Sequence, residues 1–166
     1  MIPLTAATVS RTDVRPAVNL WLASLYGGVI TALLAALFVT LFKGENPPLY
    51  ILGFLLTGIG PVLGYVLAAG RLGSSIKGII GGLIGSIVPV VSILFWPILV
   101  GALDSTQSVG KLILGSIIGA ILGAIVFLLV ANSRGQDPSW LGIGVVLFLA
   151  VWGGSCSAAM AAWAKG

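Results

Sequence analysis

Histidine is absent from this chain, and cysteine occurs once, as Cys156. The first absence removes the commonest general base and the commonest metal ligand. It also excludes haem or chlorophyll held through an imidazole of this chain. A single cysteine excludes an intrachain disulfide. Charge is the third scarcity: only 7% of residues are Asp, Glu, Lys or Arg. A soluble domain carries about 25%. Eight basic and four acidic residues cannot cover a water-facing surface on 166 residues. The net charge of +4 comes from cations placed singly between apolar runs. They form no basic stripe, so nucleic acid is not an expected partner.

Catalytic chemistry has little to build on. Asp13, Glu45, Asp104 and Asp137 are the only side-chain carboxylates, and each falls outside the apolar runs. Cys156 has no histidine to activate it, so a buried, inert thiol is expected. Gly27-Gly28 and Gly153-Gly154 lie inside apolar runs, where no phosphate loop can form. An enzyme is not expected, and no cofactor is predicted. Whether a lipid or pigment binds is not legible in the residues.

What is present is hydrocarbon: 58% of residues are hydrophobic and 24 are glycine. A polar tail over 1–16 is followed by five apolar runs, at about 17–42, 49–69, 79–101, 112–131 and 140–163. No charged residue interrupts them. Each has about 20 residues or more, enough to cross a ~30 Å hydrocarbon core as a helix. Barrel strands would be shorter and would alternate in polarity. The first run is too long for the apolar region of a signal peptide, so a retained helix is expected. The expected fold is all-α: a polytopic transmembrane bundle of five spans joined by short loops.

Five crossings put Arg11, Arg15, Arg71, Lys77 and Arg134 on one side, against Lys43, Lys111 and Lys165. That excess favours a cytoplasmic N-terminus by the positive-inside rule. Trp21, Tyr50, Trp140 and Trp163 fall near span ends, where amphipathic rings sit at the headgroups. Trp152 falls mid-span. Pro61 in the second run, and Pro89 and Pro97 in the third, each remove a backbone donor and predict a kink. The third run is expected to be bent but continuous; a broken or re-entrant segment is the alternative.

The strongest pattern is small residues four apart. It occurs as Gly78/Gly82/Ser86 and Gly81/Gly85, as Gly115/Gly119/Gly123, and as Gly153/Ser157/Ala161 beside Gly154/Ala158/Ala162. Such positions share one helix face and let two backbones approach closely. Packing within the bundle uses some of these faces, and three stripes in one small protein leave room for an outward one. The third and fourth runs resemble each other, and convergence on Gly, Ile and Leu is the expected cause, with a duplicated repeat as the alternative. Asn19, Thr31, Thr40, Thr57, Ser86, Ser92, Ser155 and Ser157 are candidate polar groups inside the spans. Hydroxyls there are expected to bond back to their own helix. No ionisable residue lies within a span, which disfavours proton-coupled transport. The expected function is that of a non-catalytic accessory or structural subunit, docked to other membrane subunits through small-residue faces. A small homo-oligomeric channel is the alternative.

Overall fold

The computed structural model describes residues 18–41, 53–70, 76–87, 91–134 and 138–164. Among them all regular structure is helical. The elements are α1 (Leu20–Leu41), α2 (Gly53–Ala69), α3 (Ile76–Gly85), α4 (Ser92–Leu103), α5 (Val109–Arg134) and α6 (Pro138–Trp163). Three helices are long and apolar enough to cross a membrane, over Leu20–Thr40, Val109–Ser133 and Trp140–Trp163. The polar tail, Tyr50 and Pro89 lie outside the described residues.

Local chemistry sets the helix ends. Asn19 caps α1: its Oδ1 accepts from the backbone N–H of Trp21 at 3.0 Å and of Leu22 at 3.2 Å. The first span therefore starts at Leu20, three residues later than the apolar run. Gly70 closes α2 in the left-handed region (φ 62°), and its N–H reaches back to Leu67 O. Glycine adopts that conformation without a β-carbon clash. At the end of α4, Asp104 Oδ1 accepts from Thr106 N at 3.0 Å and Thr106 Oγ1 at 2.6 Å. That turn sends the chain into α5.

The third run differs from its expected form. It is two helices, α3 and α4, which at about 15 and 18 Å are each roughly half a bilayer core in length. The interruption contains Pro89, which supplies no backbone donor and restricts the residue before it. The two halves then fold against each other. A β-carbon on Gly81 would meet Leu99 O and Val100 Cα at 3.0 Å, and one on Gly85 would meet Trp96 Cα at 2.6 Å. As residue number rises on α3 it falls on α4, so the pair is an antiparallel hairpin.

The same reasoning orients the other helices. Gly60 and Gly64 of α2 abut Thr31 and Gly27 of α1, so α1 and α2 are antiparallel. On α6, Gly142 faces Val39 and Gly154 faces Ser24, so α1 and α6 are antiparallel as well. Gly115 meets Ala159 and Gly123 meets Phe148, making α5 and α6 antiparallel. It follows that α1 and α5 run the same way, as do α2 and α6. The chain end of α2 and the start of α5 therefore lie at the same end of the bundle, and the α3–α4 hairpin leaves from and returns to that end. The core sits where the hairpin meets α2, α5 and α6, and comprises Val62, Val66, Trp96, Val100, Leu112, Trp152 and Met160 among others.

Candidate functional site: a cavity at the hairpin tip

A proline inside a helix releases a backbone carbonyl, and the structure shows where that of Pro97 goes. Pro97 lies inside α4 and has no N–H to give to Ile93 O, four residues earlier. Ser116 Oγ on α5 donates to that carbonyl at 2.6 Å. The same Oγ accepts from Trp152 Nε1 of α6 at 2.9 Å. On α2, regular helix is interrupted by a turn at Gly58, three residues before Pro61. Gly58 O accepts from Trp96 Nε1 at 2.8 Å, across 38 residues of sequence. Trp96 and Trp152 meet edge to face, with ring centroids 5.6 Å apart. The two tryptophans and one serine thus tie α2 and the hairpin to α5 and α6.

Because the hairpin turns back part-way along the bundle, space remains beyond its tip. A cavity of about 330 Å³ lies there. Phe54 and Thr57 of α2 form one wall, and Ser86, Ser92 and Ile93 at the hairpin tip form the floor. Ala124 and Phe127 of α5, with Val145, Phe148, Leu149 and Trp152 of α6, complete it. The lining is almost wholly carbon. Thr57 Oγ1 donates to Phe54 O at 2.7 Å. Ser86 is 1% exposed, and its Oγ has no hydrogen-bond partner.

The predicted packing residues fall mainly inside the molecule. Gly78, Gly81, Gly82 and Gly85 line the seams between α3 and its neighbours: a β-carbon on Gly82 would lie 2.6 Å from Gly58 O. Gly115, Gly119 and Gly123 face α6; Gly119 has Ser155 Cβ 2.8 Å and Trp152 Cα 3.1 Å from its β-carbon position. Gly153 abuts Thr31, and Ser157 abuts Gly27. Ala161 is half-buried. Among the aromatics, Trp21 is 81% exposed at the start of α1, while Trp140 and Trp163 are half-buried near the two ends of α6. Thr31 and Thr40 bond back to Gly27 O and Ala36 O of their own helix.

Sequence reading did not single out Ser116, Trp96 or Gly58. The available signal was proline in one case: Pro97 frees Ile93 O four residues earlier, which Ser116 takes up, whereas Pro61 would free Thr57 O, so the Gly58–Trp96 bond carried no such signal. Among the described residues, no group of three or more His, Cys, Asp or Glu side chains is placed to hold a metal ion. The chain matches no family model, no curated protein and no solved structure. By fold, then, it is an all-helical protein with three helices suited to a bilayer, and its role rests on its own geometry.

Proposed function

We propose that the chain is a non-catalytic, multi-pass membrane subunit with four crossings and one re-entrant hairpin, docked to a helix of a larger membrane assembly. The opposed directions of α1 and α6 support four crossings over five, since an odd count would make the first and last spans parallel. Four crossings also redistribute the cations. Arg11, Arg15, Arg71, Lys77, Lys111 and Lys165 then share one side, and Lys43 and Arg134 share the other. Six against two favours a cytoplasmic location for both termini more strongly than five against three.

The observation that carries docking is a small-residue groove that stays open on the surface of α5 and α6. It holds about 260 Å³ between α5 and α6, over Gly115, Ser155, Ala158 and Ala162, with Leu20 and Trp163 at its margins. Ala162 is exposed and Ala158 half-exposed. Between lipid and protein there is no hydrophobic difference to drive association, so close backbone approach along small residues supplies the contact. Extraction in mild detergent tests the reading. Other subunits should co-purify at fixed ratio, and Ala158→Leu should release them while leaving the chain folded. Isolation as a single species, unaffected by that substitution, sinks docking.

The hairpin favours a second reading, a homo-oligomeric channel, because broken helices at membrane depth commonly line a pathway. The nearly all-carbon lining of the cavity weighs against water or ions there. Conductance of a discrete homo-oligomer in a planar bilayer would decide for the channel.

A further inference from the structure

We infer that the cavity at the hairpin tip binds a neutral, lipid-soluble ring bearing a carbonyl oxygen, a molecule of the quinone type. The inference rests on the membrane reading but not on docking. Three observations define the ligand. The first is size: 330 Å³ is about twice a ~150 Å³ cavity that takes up benzene. Roughly a dozen carbon and oxygen atoms therefore fit.

The second is the wall. Phe54, Phe127, Phe148 and Trp152 reach the cavity from three different helices. Flat rings on several sides favour a flat occupant, through stacked or edge-on contacts. No charged side chain lines the space, so the occupant is neutral.

The third is an unused hydroxyl. Ser86 lines the cavity, is 1% exposed, and its Oγ lacks a partner. A buried hydroxyl without a hydrogen bond is costly, and native structures rarely leave one. The Oγ lies against Gly58 of α2; a change of χ1 away from that seam, with the O–H turned about Cβ–Oγ, would offer it to an acceptor in the cavity. A saturated hydrocarbon chain would fill the volume but could not accept that bond. A ring carbonyl does both.

The test uses full-length protein in detergent and duroquinone, a single methylated ring of the right size. Quinones quench indole emission on contact, and Trp152 lines the cavity while being only 3% exposed. Quenching of the native protein should saturate. Ala124→Phe places a ring in the cavity and should abolish the saturable part; Val145→Phe serves if that variant does not fold. Ser86→Ala should weaken binding about fivefold, the loss of one hydrogen bond worth ~1 kcal/mol. Linear quenching that is identical in wild type and the filled variants overturns the site. Unchanged affinity in Ser86→Ala overturns the carbonyl contact. Photolabelling of Leu149 and Trp152 by a diazirine-bearing phosphatidylcholine, undiminished by duroquinone, overturns the ring in favour of a lipid chain. Failure of the membrane reading looks different: the protein would leave the membrane fraction in alkaline carbonate, without detergent.

Discussion

Removing the Ser116 hydroxyl should cost more than a surface substitution, and the cost should depend on a proline 19 positions away in sequence. In the native protein the hydroxyl serves two buried groups, donating to Ile93 O at 2.6 Å and accepting from Trp152 Nε1 at 2.9 Å. Ser116→Ala orphans both. An unsatisfied buried group costs about 1–3 kcal/mol. Hydrogen bonds between membrane helices average nearer 0.6 kcal/mol, up to about 1.7. The two scales together give about 2–3 kcal/mol for the pair. Pro97→Ala restores an N–H at position 97, and that N–H can take Ile93 O within α4. In this background Ser116→Ala orphans only the indole, and its cost should fall to about 1 kcal/mol. The double-mutant cycle therefore predicts a coupling of about 1 kcal/mol or more between residues 97 and 116. Reversible unfolding in mixed micelles, followed by tryptophan emission, measures all four corners. Equal costs of Ser116→Ala with and without Pro97 would refute the idea that Ser116 replaces the missing donor.

Three further outcomes follow from the same geometry. Ser105→Cys and Lys77→Cys, at exposed positions beside the two ends of the hairpin, should react with an impermeant thiol reagent from the same side of sealed vesicles; reaction from opposite sides restores a full third crossing. Native Cys156 is fully buried and should stay silent in that assay. Gly64→Ala should destabilise by several kcal/mol, since its β-carbon would overlap the Gly27 backbone, whereas Gly110→Ala, with open space around it, should be neutral or stabilise by up to ~1 kcal/mol through helix propensity; comparable losses at both positions would contradict the α1–α2 contact. Trp96→Phe keeps most of the edge contact to Trp152 but removes the donor to Gly58 O, and a loss of about 1–2 kcal/mol in the same unfolding assay is expected.

How much of this was legible beforehand varies by residue. The three long helices follow from charge-free runs of sufficient length, which hydropathy reads directly. The glycine faces were legible as faces but not as to what they meet. Spacing places Gly115, Gly119 and Gly123 on one side of α5, but it cannot say that α6 covers that side. The cavity was not legible at all. Phe54, Ser86, Phe127 and Phe148 come from four separate segments, and only the direction of each helix brings them together. Asn19 reads as a polar residue within the first span, yet it caps the helix, because its side chain accepts from two N–H groups that no earlier turn can satisfy.

The third run shows where hydropathy alone leaves two arrangements open. Residues 79–101 are long and apolar enough to cross once, and a hairpin of two half-length helices has the same composition. Two features separate them. Glycines at 78, 81, 82 and 85 give α3 close neighbours on two sides: Leu99 and Trp96 on α4, and Gly58 and Val62 on α2. A helix that short, with so few side chains to bury, is held by contact on both sides. The second feature is global. A third crossing would move Lys111 and Lys165 to the side of Lys43, and Arg134 to the side of the N-terminus, blunting the cation asymmetry to five against three. A re-entrant hairpin keeps it at six against two. The break between Gly85 and Ser92 and the chain-wide placement of charge are independent properties, and both support the proposed hairpin over a third crossing.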